Sequence, residues 1–166
     1  MIWMPLYIHI VFSFLAAVGF AVFLNSPRKT LFISGSVGMI SWTIYILLMR
    51  SNFDTMFSNF IAAFIASTLC EILSRKFKKP TILFVIPGII TLIPGLGLYN
   101  TMFYMIQNNF QEAMTIGSNV MFASGSIALG VLVASSMFRT YSRLEYKKFL
   151  ISGKILNSHK EKPIND

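Results

Sequence analysis

Residues 81–106 read TILFVIPGIITLIPGLGLYNTMFYMI, and no charged residue interrupts the run. That length and apolarity suit a bilayer crossing, which takes about 20 residues for a hydrocarbon core of about 30 Å. Two Pro-Gly pairs, Pro87-Gly88 and Pro94-Gly95, stand inside the run, and Gly97 follows them. Each proline removes a backbone donor and its ring clashes with the preceding turn, so a regular helix through both pairs is not expected. In hydrocarbon, freed backbone groups are tolerated only against protein or along a wet cavity. An interrupted spanning helix therefore points to a solute site in a transporter.

The surrounding chain has the same character. Of 166 residues, 55% are hydrophobic and 12% charged, whereas a soluble domain carries about 25% charged residues. The apolar residues come in long runs rather than at a helix or strand period, which places the chain among integral membrane proteins. Five spans emerge, at about Trp3–Leu24, Leu31–Met49, Phe53–Ser74, Thr81–Ile106 and Thr115–Phe138. The expected fold is an all-α integral membrane protein of about five transmembrane helices, the fourth interrupted. A transmembrane domain over 1–138 precedes a basic tail over 139–166. The tail reads either as a short helix on anionic lipid or as a frayed end. The first run has no basic residue before Arg28, unlike a signal peptide, and reads as a retained helix.

The formal net charge is +8, which raises nucleic acid as a partner. The basic residues instead sit between and after the apolar runs, so membrane orientation accounts for them and no nucleic-acid partner is expected. With five spans, every Lys and Arg except Arg50 falls on one side: Arg28 and Lys29, then Arg75 to Lys79, then the tail from Arg139. The positive-inside rule makes that side cytoplasmic, with the N-terminus outside and the C-terminus inside.

Chemistry-bearing residues are sparse. Cys70 is the single cysteine, so neither an internal disulfide nor a zinc spacing is available. No metal site and no cofactor is expected. No nucleophile elbow, phosphate loop, metalloprotease motif or carboxylate pair occurs, which argues against an enzyme. His9 reads as a hydrogen-bonding residue of the bundle or, alternatively, as a proton relay. Apart from Asp54 at the edge of the third span, Glu71 is the one acidic residue within a span. It reads as a helical ion pair with Arg75, four residues on, or as a proton-coupling group, since ionisable residues in membranes are costly and often functional. Small residues recur at helical spacing: Ala62, Ala66 and Cys70, then Ala63 and Ser67, then Ser126, Gly130 and Ala134, with Ser34, Gly35, Ser36 and Gly38 in the second span. Such ridges let helices approach closely in lipid.

Tyr99, Asn100 and Thr101 follow the interruption directly. Two half-helices there would put this cluster near a helix start, where free backbone donors favour a carboxylate. The candidate substrate-binding set is Pro87, Gly88, Thr91, Pro94, Gly95, Tyr99 and Asn100, with Glu71 as coupling candidate. A simple proline kink is the alternative.

Two stretches carry a family resemblance. Gly19 to Lys29 reads GFAVFLNSPRK and is followed by Gly35-Ser36-Val37-Gly38, and Phe84 to Met102 contains the two Pro-Gly pairs and Tyr99. Together they resemble the threonine/serine exporter family over roughly residues 10 to 138, most closely its small subunit, which is similar to the C-terminal half of single-chain members. Where members often carry another proline, this chain has Thr91. The resemblance implies proton-driven export of threonine and serine, with succinate as the substrate of some members. It also implies a second membrane subunit resembling the family's N-terminal half.

The expected function is thus one subunit of a secondary exporter of small carboxylate-bearing metabolites, in the cytoplasmic membrane and in contact with lipid. A non-transporting membrane scaffold is the alternative, and a small membrane-embedded enzyme is a third reading.

Overall fold

The computed structural model describes residues 5–160, and among these all regular structure is helical. The elements are α1 (Leu6–Phe23), α2 (Arg28–Arg50), α3 (Thr55–Phe77), α4 (Ile82–Ile89), a 3-10 turn (Ile90–Leu92), α5 (Gly95–Ile106) and α6 (Phe110–Lys160). Four helices are long and apolar enough to cross a membrane, or five passes if the bent pair α4–α5 counts as one. The protein is a multi-pass membrane protein.

Local chemistry sets the helix limits. Pro5 and Pro27 precede α1 and α2 in extended conformation. Asp54 caps α3, its carboxylate accepting from the Met56 N–H at 3.0 Å. Asn109 caps α6, its side-chain oxygen accepting from the Glu112 N–H at 3.4 Å, the position where a capping carboxamide is favoured. Four connections open with a left-handed residue: Asn25, Asn52, Lys78 and Asn108, at φ between 51° and 60°. Each closes its helix by the same pair of bonds. At the first, the Asn25 N–H reaches Val22 O and the Ser26 N–H reaches Ala21 O; at the last, Asn108 reaches Met105 O and Asn109 reaches Tyr104 O. This is the Schellman closure, and asparagine tolerates its left-handed residue better than most.

The packing is inside out relative to a soluble protein. The interior holds small residues, among them Ala17, Ala21, Ala62, Ala63, Ala66, Cys70 and Ala134. Large apolar side chains such as Phe12, Phe32, Met121 and Leu132 point outward. Water would penalise such a surface; lipid does not, and small residues between helices permit close approach. His9, Ser13, Ala17 and Ala21 form one buried stripe of α1. A Cβ added at Gly130 of α6 would sit 2.7 Å from Phe60 O and 3.0 Å from Phe64 N of α3.

The contacts also give the sense of each pass. α1 and α2 are antiparallel, with Trp42 on His9 and Gly35 on Val18. α3 and α4 are antiparallel, with Phe77 beside Phe84 and Cys70 beside Gly88. α3 and α6 are parallel: Gly130 meets Phe60 and Phe138 meets Arg75. A chain that leaves α3 at one end and begins α6 at the other has traversed the bundle in between, through α4 and α5. The C-terminal end of α3, the start of α4 and the stretch of α6 around Phe138 therefore share one end. The α6 backbone runs unbroken through Arg139 for 51 residues in all, about 75 Å at 1.5 Å per residue.

Candidate functional site

Pro87 lies inside α4, which continues to Ile89 before tightening into the 3-10 turn. A proline there leaves the carbonyl four residues back, Leu83 O, without its helical donor. Ser34 of α2 donates to that carbonyl at 3.3 Å. One heptad on, the Ser41 hydroxyl lies 2.9 Å from Gly88 O and 3.0 Å from Gly38 O. Thr91 Oγ1 lies 3.3 Å from both the Ser41 hydroxyl and Gly38 O. Two hydroxyl protons thus serve two carbonyls in a buried group that clamps α4 to α2. Gly88 is held equally closely: a Cβ there would meet Val37 Cγ1 at 2.9 Å and Cys70 Sγ at 3.6 Å.

The axis turns at the second pair. α4 with its 3-10 turn and α5 are bent by 58°. Pro94 has φ −75° and ψ 63°, and the Gly95 N–H donates to Ile93 O at 2.8 Å. That is an inverse γ-turn, the conformation at which a chain reverses locally at little strain. α5 then packs against α6, where a Cβ at Gly97 would meet Val120 at 2.5 Å.

The expected site residues therefore fall into two groups. Pro87 and Gly88 are buried, and Thr91 faces α2. Pro94 is half-buried and Gly95 exposed at the bend. Asn100 is half-buried on α5, and Tyr99 is 64% exposed, its ring stacked on Phe103 at 6.1 Å between centroids. The fold thus sets Thr91 among the α2 hydroxyls and turns Tyr99 outward. Ser41 was not among the expected residues, and Ser34 was read only as part of a small-residue ridge. The available signal was their seven-residue spacing, which matches that of the two Pro-Gly pairs and puts both serines on one helix face.

Glu71 lies elsewhere. An open cleft of about 550 Å³ between α3, α4 and α6 is lined by Glu71, Arg75, Thr81, Val85, Ser135 and Arg139. Arg75 is held in its wall: the guanidinium donates to Phe138 O at 2.9 Å and its carbon lies 5.1 Å from the centre of the Phe138 ring. Thr81 donates to Ser74 Oγ at 3.0 Å, and Ser74 in turn donates to Lys79 O at 2.6 Å, which ties down the start of α4. His9 is distant from the cleft in the chain and accepts from Trp42 Nε1 through Nδ1 at 3.3 Å. That bond places the proton of a neutral His9 on Nε2. Among the described residues no group of His, Cys, Asp and Glu is arranged to hold a metal ion.

The family whose model matches residues 9–137 is described as "Threonine/Serine exporter, ThrE". The chain belongs to the threonine/serine exporter family. The matched stretch takes in the whole of the serine clamp, the bend and the cleft up to Ser135. A curated relative, an uncharacterized protein of Haemophilus influenzae (strain ATCC 51907 / DSM 11121 / KW20 / Rd), is 27% identical over 135 residues, covering 76% of this exporter-family chain and 46% of that protein. The chain thus spans about half the length of that relative. No solved structure matches it.

Proposed function

We propose that this chain is one subunit of a secondary exporter of small carboxylate-bearing metabolites, threonine and serine first and succinate second. The observation that carries the reading is the family match over residues 9–137. The match to about half of a longer relative supports a second membrane subunit that resembles the family's N-terminal half. The cell membrane is the proposed location. The basic end, where α3 finishes, α4 starts and α6 passes through Arg139, is taken as cytoplasmic by the positive-inside rule, which puts the N-terminus outside.

In this reading α4 and α5 are the two half-helices of one broken crossing. Their arms are about 16 and 18 Å long, and with the 58° bend they reach about 30 Å end to end, the thickness of the hydrocarbon core. The solute site lies around the bend, with Pro87, Gly88 and Thr91 on the clamped arm and Pro94, Gly95, Tyr99 and Asn100 on the other. Tyr99 faces away from this bundle, so its part in the site requires the second subunit to cover it. Glu71 is the proposed coupling group.

The test is efflux of labelled threonine, serine and succinate from cells holding both subunits. Pro94→Ala with Gly95→Ala should abolish efflux at normal protein abundance. Normal efflux would sink the role of the bend. Glu71→Gln should remove the dependence of efflux on the pH gradient, whereas Arg75→Ala should not. Unchanged efflux in a strain lacking this chain, with varied proteins co-purifying, would favour the scaffold instead.

A further inference from the structure

We infer that the cleft between α3, α4 and α6 binds a singly charged anionic phospholipid, with the phosphodiester at its basic mouth and an acyl chain along the furrow between α4 and α6.

The walls change character with depth. At the mouth α6 contributes Arg139 and Ser135, α4 opens with Thr81, and α3 contributes Glu71 and Arg75. Beyond Thr81, α4 carries Ile82, Val85, Ile86 and Ile89 at the spacing of one helix face. Opposite, α6 carries Val131 and Ile127, four and eight residues before Ser135. Both helices pack on α3, which floors the furrow. Val85 and Val131 rest against the core cluster of Ala62, Ala63, Leu92 and Ile127. Ile82 and Ile86 are 61% and 42% exposed, so the furrow lies open on the side where hydrocarbon would be. No charged residue lies deeper than Glu71 on any of the three walls. A free ion has no use for that gradient from polar to apolar, whereas an amphiphile matches it at both ends. Basic pockets between spanning helices on the cytoplasmic side are suited to anionic headgroups. The cleft volume of about 550 Å³ falls in the range of small-molecule sites, about 300 to 1,000 Å³. It accommodates a headgroup and the first part of a chain.

The charges at the mouth set the headgroup. Arg75 is already engaged, donating to Phe138 O at 2.9 Å with its carbon over the Phe138 ring, and it serves as wall. The cation that faces a ligand is Arg139, whose planar fork of donors matches the two free oxygens of a phosphodiester. Beside it the half-buried Ser135 hydroxyl makes no hydrogen bond among the described residues. Lys79 is held at the rim, its N–H donating to Ser74 O at 3.1 Å and its carbonyl accepting from Ser74 Oγ at 2.6 Å. Glu71 limits the charge: one phosphodiester answers Arg139, but a second anionic group in the cleft meets a carboxylate and is repelled. A headgroup hydroxyl is a donor that Glu71 accepts, whereas choline offers no donor. The fitting ligand is a glycerophospholipid with one negative charge and a hydroxylated headgroup, as in phosphatidylglycerol.

The full chain, purified in a mild detergent and stripped of lipid, is titrated with phosphatidylglycerol, phosphatidylcholine or inorganic phosphate while thermal unfolding is followed. Phosphatidylglycerol should raise the melting temperature saturably, as a ligand of the folded state does. Phosphatidylcholine and inorganic phosphate should leave it unchanged. An equal shift with phosphatidylcholine would overturn the site, and an equal shift with inorganic phosphate would make the ligand a free anion and overturn the lipid. Phosphatidylglycerol with a photoreactive acyl chain locates the bound molecule: label should concentrate on α4 and on residues 127–139. Label spread evenly over the outward faces of all the helices would overturn the assignment. Arg139→Gln should weaken phosphatidylglycerol binding by about tenfold. Lys154→Gln, which removes the same charge further along α6, should leave binding unchanged. Equal losses in the two variants would show attraction to the basic end as a whole and overturn the cleft as a site. The wild-type titrations and the labelling decide the matter even where Arg139→Gln does not fold.

Discussion

Ser34 of α2 donates its hydroxyl to Leu83 O, the one carbonyl of α4 that Pro87 deprives of a helical partner. The proline and the serine are therefore one device. The expected consequence is energetic coupling between them. Ser34→Ala alone should destabilise the bundle by about 0.6 kcal/mol, the usual size of an interhelical hydrogen bond in a membrane protein. In a Pro87→Ala background, where residue 87 regains its own N–H, the same substitution should cost close to nothing. Reversible unfolding in mixed micelles, run as a double-mutant cycle, measures the difference. Additive effects would show that Ser34 and Pro87 act separately.

The contact of Gly130 with the α3 backbone gives a second prediction. Gly130→Leu should separate α3 from α6 and cost about 1–3 kcal/mol or more, as overpacking does, with loss of folded protein in detergent. Gly125→Leu lies on the same helix with nothing within 4 Å of an added Cβ. It should leave the size-exclusion profile of the protein unchanged.

The parallel course of α3 and α6 predicts where two connections lie. With Cys70 replaced by Ala, Gln107→Cys should react with an impermeant maleimide on intact cells. Lys79→Cys should react only after permeabilisation. Labelling of both from one side would make α4–α5 a re-entrant loop and remove the fifth pass.

The left-handed closures are testable at Asn52, where φ is 60°. Asn52→Gly should be neutral or slightly stabilising, whereas Asn52→Val should cost about 1–2 kcal/mol because a side chain branched at Cβ opposes positive φ. Equal melting temperatures of the two variants would show that the turn has relaxed to another conformation.

Much of this architecture was legible from the chain. Charged residues marked most of the connections, and the small ridges of Ala62 to Cys70 and of Gly130 and Ala134 are buried as the spacing required. The two Pro-Gly pairs were equally visible, but not their different outcomes. Pro87 is carried through a helix because α2 happens to offer Ser34 and Ser41, a tertiary circumstance that no local pattern contains. At Pro94 the backbone supplies the partner itself, the Ile93 N–H donating to Ile90 O at 3.3 Å, and the chain turns there. The direction of Tyr99 was hidden for a related reason, since a bend resets the helical phase of everything after it. The cleft was the least legible part. Glu71 and Arg75 suggested an ion pair of one helix, while the residues that give them a chemical setting, Ser135 and Arg139, lie on α6, a whole crossing away.

The bend divides the α4–α5 pair into unequal mechanical halves. α4 is pinned by buried hydroxyls, by Cys70 and by Val37, whereas α5 leans chiefly on α6, across glycines at 97 and 117. Regions with few buried contacts open at low cost, and a γ-turn at Pro94 is a natural pivot for such a motion. On the proposed exporter reading, α5 is the arm able to swing and α4 its fixed post. In an alternating-access cycle, the half of the pathway beside α5 would then move while the half beside α4 stayed still.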